Sequence, residues 1–328
     1  MAMTVLVTGG AGYIGSHTVA ALQEQGEQVV VLDNLVYGHP QAVSCPLVKQ
    51  DLLDKQAVEA VFKQHHFDAV MHFAAYALAG ESMQRPAKYF ENNLLGGLNL
   101  LEAMRQNGVK HLIFSSTCAL YGYPRQLPVT EEALQKPMSV YGESKLMLEK
   151  ILAWYDQLFG IKSVCLRYFN AAGASLNGAI GEDHDPETHL VPIAIQAALG
   201  QRQEFQIFGD DYDTPDGSCI RDYVHVADLA AAHLQALAYL QAKNRSEAFN
   251  LGTGQGYSVK QVVAEVKKVS GVDFLVKTGP RRPGDPAAVW ADNQKAKKVL
   301  GWSPQSSDLK TIVESAYHWH QKHPQGYE

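Results

Sequence analysis

Charge, cysteine and long apolar runs are all scarce in this chain, and each scarcity excludes a class of protein. Only 19% of the 328 residues are charged, and the formal net charge is −6. A general nucleic-acid binder needs a basic excess to neutralise phosphates, so nucleic acid is not an expected partner. An anionic ligand held by a few well-placed arginines remains open. The four cysteines, Cys45, Cys118, Cys165 and Cys219, are far apart and form no CxxC pair. Zinc ribbons and dithiol redox motifs are thereby excluded, and reduced thiols in a cytoplasmic protein are expected. No metal site is expected. No apolar run approaches the ~20 residues that cross a bilayer, so no membrane association is expected. The N-terminal MAMTVLVTGG lacks the basic, apolar and small-residue order of a signal peptide. Neither an internal repeat nor a low-complexity tail is present.

Hydrophobic residues make up 46% of the chain, an ordinary globular value. At ~150 residues per domain the length predicts about two domains. Short, continuous apolar runs recur at Met3 to Thr8, Gln28 to Leu32, Asp68 to Phe73, His111 to Ser116 and Ser163 to Phe169. Such runs suit strands buried on both faces of a parallel sheet. Helical periodicities lie between them: Phe90, Leu94, Leu98 and Leu101 after Pro86, then Leu148, Ile151, Leu152, Tyr155 and Phe159. The alternation predicts right-handed βαβ units and an α/β, doubly wound parallel sheet of Rossmann type. Beyond Phe169 the rhythm breaks into turn-rich stretches at 174–189 and 209–219. A dinucleotide-binding domain is expected over 1–172. A smaller α/β substrate-binding domain is expected mainly over 173–328, with 218–252 returning to the first through a helix from Val226 and a strand at Ala248 to Leu251.

The first strand runs directly into TGGAGYIG, which places Gly9, Gly12 and Gly15 at GxxGxxG spacing. One glycine permits a tight turn, one lets backbone approach a pyrophosphate, and one lets the helix pack closely on the strand. A helix starting near Tyr13 then offers free N–H groups to phosphate. Asp33 ends the second strand, 18 residues after Gly15. A carboxylate there accepts from ribose hydroxyls and repels a 2′-phosphate, which favours NAD over NADP. Asp51, expected at the end of the third strand, is placed to reach the adenine side. A second glycine set, Gly252, Gly254 and Gly256, has GxGxG spacing far from a starting βαβ unit and reads as a structural turn.

Tyr141 and Lys145 form YxxxK on a helix, on one face at i, i+4. Tyr239 and Lys243 share that spacing, but Tyr239 lies off the apolar stripe of its helix and reads as a rim residue. Tyr141 differs because Ser115-Ser116-Thr117 ends a strand 24 residues earlier. Ligands of doubly wound sheets bind outside the carboxyl ends of the strands. A tyrosine acting as base at neutral pH needs its pKa lowered by roughly 3, or ~4 kcal/mol. A lysine ammonium at ~5 Å and an effective dielectric of ~20 supplies ~3 kcal/mol. Thr117 is placed to hydrogen-bond the substrate oxygen that loses its proton.

TGGAGYIG, Asp33-Asn34, His72 to Ala75, Ser115 to Thr117 and YGESK together resemble the extended short-chain dehydrogenases/reductases. In the second half, LRYFNAAGA, IGED, FGDDYDTPDGSCIRDYVHV, NLGTGQGYSV and RRPGDP are similar to the UDP-galactose 4-epimerase family. The resemblance spans essentially the whole chain. It implies a bound NAD that turns over without net consumption, with UDP-glucose/UDP-galactose as substrates. In such proteins a large residue at the position of Val289 excludes a 2-acetamido group and a small one admits it, so valine, smaller than tyrosine, points to weaker action on UDP-N-acetylhexosamines. Carried over by position, Tyr13, Ile14, Asp33, Asn34, Asp51, Leu52, Phe73, Ala74, Ala75, Asn92, Tyr141, Lys145 and Phe169 contact NAD. Asn170, Leu190, Gln206, Ile207, Phe208, Arg221, Arg282 and Asp285 hold the UDP-sugar with Thr117 and Tyr141, and Val289 limits the sugar pocket. The long amphipathic helices predict a helix-bundle homodimer.

Three positions depart from the family pattern. Ala77 stands where some members place a lysine near the cofactor. His189 stands where an asparagine is common, and Val289 where members carry either a large or a small residue. Sugar-nucleotide dehydratases share the Tyr–Lys pair but carry Asp-Glu after the strand-end threonine. Cys118-Ala119 occupies that place here.

Overall fold

The computed structural model describes residues 2–282 and 284–328. Its central sheet contains β1 (Thr4–Thr8), β2 (Gln28–Asp33), β3 (Leu47–Lys49), β4 (Ala69–His72), β5 (His111–Thr117), β6 (Lys162–Tyr168) and a last strand, Glu247–Leu251. Across the sheet the order is Glu247–Leu251, β6, β5, β4, β1, β2, β3, and every pairing is parallel. The expected doubly wound sheet is therefore the observed one. From β1 the chain steps first toward β2 and β3, and then back across to β4, which opens a crevice at the carboxyl ends of β1 and β4.

The pleat divides the core. Val5, Val7, Val31 and Met71 face α1 (Tyr13–Glu24) and the helix Val226–Lys243. Leu6, Val30, Leu32 and Val70 face the opposite side with α2 (Lys55–Gln64), Leu100, Leu101, Leu148 and Leu152. Successive strand residues point to opposite faces, so two-sided burial demands the continuous apolar runs seen in the sequence. The Glu247–Leu251 strand pairs with β6, and the helix Val226–Lys243 packs on α1. Ala296 and Trp302 also enter this core, with Trp302 Nε1 donating to Asp228 O at 2.8 Å. A second core gathers Val191, Ile195, Val262, Val266, Ile312 and Val313 from the helices Leu190–Ala198, Val259–Ser270 and Leu309–Lys322.

The helix after Pro86 differs from its sequence reading. It runs as Pro86–Phe90, a π turn at Glu91–Leu95, and Gly96–Gln106. The wider turn shifts the helical phase. Tyr89 is fully buried and Asn93, Leu100 and Met104 face inward, while Phe90, Leu94 and Leu98 are only half-buried. In Val140–Phe159, Leu148 and Leu152 enter the core, whereas Trp154 and Leu158 are 59% and 61% exposed.

Burial also sets an acid limit. Burial lowers the imidazoles of His17, His72 and His233 to about 4, 3 and 4. Lys145 adds to the lowering at His72. The folded chain keeps all three neutral, whereas the unfolded chain protonates them below ~6.5. The unfolded state thus binds more protons as pH falls through that window, and stability drops by about 1.4 kcal/mol per pH unit for each histidine. Urea unfolding from pH ~6.5 to ~4.5 is expected to show a falling midpoint, with a shallower fall in His233→Asn. A pH-independent midpoint would contradict this account.

Candidate active site

The crevice is lined by the turn after β1, the ends of β2, β4, β5 and β6, and the start of the helix Val140–Phe159. Gly9 has φ +70°, and a Cβ there would lie 2.4 Å from Ala74 N. A Cβ on Gly15 would lie 2.2 Å from Gly9 O. These two glycines thus let the turn sit on the end of β4 and let α1 sit on the turn. Gly12 is different. Among the described residues, the only atom within 4 Å of such a Cβ is Gly9 O at 3.4 Å, and Gly12 lines the crevice. It is the N-cap of α1 without a side-chain cap, and the first turn carries no acidic residue. The helix amides therefore face a site suited to an anion.

Asp33 at the end of β2 is buried, and burial raises its carboxyl pKa. Two amides oppose that effect: Ala11 N–H donates to Oδ2 at 3.0 Å and Leu35 N–H to Oδ1 at 2.9 Å. The second bond holds Leu35 at φ +61°, a conformation that side chains rarely adopt. Asp51 lies two residues beyond the end of β3 rather than within it. There it accepts from Asn34 Nδ2 at 2.9 Å. Tyr13, Ile14, Leu52, Phe73, Ala74 and Ala75 line the same crevice. So does Asn92, which the π turn brings into the wall while its neighbour Asn93 accepts from Tyr76 N–H at 2.9 Å.

Thr117 ends β5, and Tyr141 and Lys145 rise beside it on a helix capped by Ser139, whose Oγ accepts from Gly142 N–H at 3.2 Å. Lys145 is buried and donates to Ser115 O at 2.8 Å. Burial lowers its ammonium to about 7, with the Glu149 charge acting in the opposite direction. Tyr141 does not show the lowered pKa expected from the sequence. Burial pushes its phenol up to about 12, and the neighbouring Thr117 side chain offsets only part of that rise. The cost of a phenolate in a low-dielectric pocket outweighs what the protein's own groups return. Below this pair, Glu149 accepts from Ser116 Oγ at 2.5 Å and pairs with Arg167, Nε to Oε1 at 3.0 Å and Nη2 to Oε2 at 2.5 Å. The buried fork ties the ends of β5 and β6 to the Tyr141 helix. Sequence reasoning missed both this pair and Tyr168, which lines the crevice and hydrogen-bonds Ser115 through its hydroxyl.

The remaining residues divide. Phe169 and Asn170 line the crevice, and Asn170 Nδ2 donates to Asp222 O at 3.0 Å. Arg221 pairs with Asp285 at 3.3 Å, and the Arg282 guanidinium lies 4.0 Å from the centre of the Phe208 ring. Pro283 in this stretch lies outside the described residues. Leu190 opens the helix Leu190–Ala198, and Gln206 is exposed on the strand Phe205–Phe208. Two of the expected site side chains are buried. Ile207 is 4% exposed and packs into the second core, so only its main chain is free to meet a ligand. Val289 packs with Leu120, Leu146, Phe169 and Ala291 and is 8% exposed. Ala77 lines the crevice without a charge, and His189 is turned toward Glu182 and Glu187. Away from the site, Tyr239 meets Phe249 edge-on, and Gly252 packs against Asp222, whose Oδ1 accepts from Thr253 N–H at 2.8 Å.

Gly12 separates ligand binding from folding. In Gly12→Val the side chain enters the crevice, where, among the described residues other than its chain neighbours, the nearest atom to the new Cβ is Gly9 O at 3.4 Å. Circular dichroism is expected to stay as in the parent. Dinucleotide co-purifying with the protein should fall at least tenfold, a loss of about 1.4 kcal/mol or more. Retention at the parent level would mean that Gly12 does not face the ligand.

Comparison with known proteins gives a consistent result. The NAD dependent epimerase/dehydratase family matches residues 5–252. The UDP-glucose 4-epimerase of Halalkalibacterium halodurans is 52% identical over 326 residues, covering 99% of this chain and 98% of its own. The Brucella ovis UDP-glucose 4-epimerase, crystallised with NAD, is 46% identical with a TM-score of 0.95, covering 97% and 98% of the two chains. The Bifidobacterium longum UDP-glucose 4-epimerase, crystallised with NAD+ and UDP, is 39% identical with a TM-score of 0.94 over 98% and 99%.

Proposed function

The chain belongs to the NAD dependent epimerase/dehydratase family, and from that premise we propose that it interconverts UDP-galactose and UDP-glucose by transient oxidation at C4. The observation that carries this reading is convergence: Tyr141, Lys145 and Thr117 line the same crevice as Gly9, Gly12, Gly15 and Asp33. The residues fit a dinucleotide. Amides at the α1 N-terminus suit a pyrophosphate, and Asp33 suits ribose hydroxyls while repelling a 2′-phosphate. NAD, when bound, supplies the hydride acceptor and a positive ring that favours a phenolate nearby.

The chain's own groups do the rest. Tyr141 removes the proton of the sugar 4-hydroxyl, and Thr117, on the same crevice wall, orients that oxygen. Lys145, anchored to Ser115 O at 2.8 Å, keeps a polar hydrogen adjoining the pair. The 4-keto sugar then turns about its bond to the pyrophosphate and presents its other face. Arg221 and Arg282 pair with the diphosphate oxygens, Phe208 covers the base, and Asp285 accepts from ribose hydroxyls. Asn170, Leu190, Gln206 and the Ile207 main chain complete that side. An elimination has no acid at position 118, because burial pushes the Cys118 thiol up to about 12.

A homodimer is supported by Met147, Trp154 and Leu158, which lie exposed along one face of Val140–Phe159 near exposed Leu95. A cytoplasmic location is supported by four unpaired cysteines. Among the described residues, no helix is long and apolar enough to cross a membrane.

The test is conversion of UDP-galactose to UDP-glucose without added dinucleotide and without growth of reduced-nicotinamide absorbance. Denaturation should release NAD rather than NADP. Tyr141→Phe should lose activity at least a hundredfold while keeping its NAD, since a positioned acid–base group contributes ~10²–10⁴. Tyr239→Phe should match the parent. Activity of Tyr141→Phe within tenfold of the parent would remove the phenol from the chemistry.

Val289 bears on sugar size. It shares a packed cluster with Phe169, which lines the crevice, and a residue smaller than tyrosine there leaves room for a 2-acetamido group as the sugar turns. Weaker but detectable turnover of UDP-N-acetylglucosamine is expected. Discrimination by a few atoms of bulk is ~1–3 kcal/mol. Val289→Tyr should abolish the N-acetyl reaction and keep most of the parent reaction, with unfolding midpoints measured in parallel to register any overpacking. No N-acetyl turnover by the parent at saturating substrate would assign the pocket limit to another residue.

A further inference from the structure

Glu182, His184, Glu187 and His189 form a cluster on the crevice wall that the chemistry above does not use. One carboxylate oxygen or imidazole nitrogen from each lies within 4.8 Å of the others. His189 Nδ1 is 2.8 Å from Glu182 Oε1 and 3.0 Å from Glu187 Oε1. His184 Nδ1 is 3.2 Å from the same Glu182 oxygen and 3.8 Å from Glu187 Oε2. Glu182 and Glu187 are buried, 4% and 8% exposed. Glu182 Oε1 and His184 Nδ1 are themselves buried and lack a hydrogen-bond partner of acceptable geometry. Two unpartnered polar atoms 3.2 Å apart are costly unless something else binds them.

The surrounding backbone holds this arrangement. Glu187 Oε1 accepts from the N–H groups of Thr188 and His189, each at 2.7 Å, which fixes the carboxylate. His189 stands at the N-cap of Leu190–Ala198 but makes no side-chain cap, because its imidazole turns to the carboxylates instead. Four donors ~2.0–2.1 Å from a tetrahedral centre lie about 3.3 Å apart; the His–Glu contacts run from 2.8 to 3.8 Å, and one donor atom from each residue lies within 4.8 Å of the others, a spread that small side-chain rotations close. Two imidazoles with two carboxylates suit a zinc-class ion, whereas calcium and magnesium favour six or more oxygen ligands.

We propose that Glu182, His184, Glu187 and His189 bind a divalent transition-metal cation of the zinc class. Four protein donors close the coordination shell, so the site is structural rather than catalytic. The cation cancels two buried carboxylate charges and ties residues 182–189 to the start of Leu190–Ala198. It thereby braces the wall facing Tyr13, whose ring meets His184 edge-on at 6.2 Å. The alternative occupant of the same geometry is a pair of protonated histidines ion-paired to the two carboxylates.

The experiment uses untagged full-length protein with its own dinucleotide, stripped of metal by a chelator and then titrated separately with Zn²⁺, Co²⁺ and Mg²⁺. Roughly one Zn²⁺ per chain should survive gel filtration, and Co²⁺ should give the intense visible bands of a tetrahedral site. Zn²⁺ should also raise the unfolding temperature, and Mg²⁺ should do neither. His184→Gln and Glu182→Gln should each weaken Zn²⁺ binding tenfold or more, and the exposed His318→Gln should not. Failure of the stripped parent to retain Zn²⁺, or a tetrahedral Co²⁺ spectrum that persists in His184→Gln, overturns the proposal in favour of the ion-paired cluster. The parent titration decides the matter even if a variant fails to fold. Epimerase activity is assayed separately on the same samples, so failure of the metal site and failure of the catalytic reading are told apart.

Discussion

Binding in this protein depends on β1 being hydrogen-bonded on both sides to parallel strands, with the chain leaving it first toward one edge of the sheet and returning to the other. No connecting helix covers the carboxyl ends of β1 and β4 from both sides, so a crevice must open there. The backbone of the turn after β1 approaches β4 closely enough that Gly9 cannot carry a side chain. That approach aims the α1 amides into the crevice and fixes where charge can be received. Asp33 takes its position relative to that point through β2, paired with β1, and Thr117 through β5, paired with β4, while Tyr141 lines the same crevice.

Burial is the second governing fact. It raises the Tyr141 phenol and lowers the Lys145 ammonium, so each is driven toward its neutral form. A phenol raised by burial, next to a lysine whose ammonium is lowered to about 7, is a poor base by itself. Reactivity then depends on positive charge brought in with the ligand, which links the chemistry to occupancy of the crevice. The Arg167–Glu149 fork shows the opposite solution, a buried charge retained because its partner meets it bidentately. Breaking one half of such a pair leaves an uncompensated charge beneath the reactive helix.

The sheet was legible because two-sided burial writes itself as uninterrupted valine, leucine and isoleucine, as at Gln28–Asp33. The glycine turn was legible because its steric demands admit one residue type at Gly9 and Gly15. Less visible were features set by three-dimensional phase. Phe90, Leu94 and Leu98 follow helical spacing, yet they are only half-buried, and no residue in ENNLL announces the π turn that shifts the phase between Tyr89 and Leu100. Ile207 and Val289 were expected at the ligand from resemblance alone, and the burial of both side chains is set by the fold rather than written in the sequence. The Glu-x-His-x-x-Glu-x-His order at 182–189 was present in the sequence. It read as a polar loop because only the fold shows that the four side chains converge.

The π turn at Glu91–Leu95 has a genetic consequence. An ordinary helix advances about 100° per residue, so one extra residue in a turn acts as a phase shifter between the segments it joins. Asn92 on the crevice wall and the outward-facing Leu95 lie within that shifter, and Leu100 and Met104 lie beyond it. A single-codon deletion within 91–95 would regularise the helix and rotate its remainder out of the core. Wall, core and outer face are thus indexed to one another, and substitutions are tolerated here far more readily than changes in length.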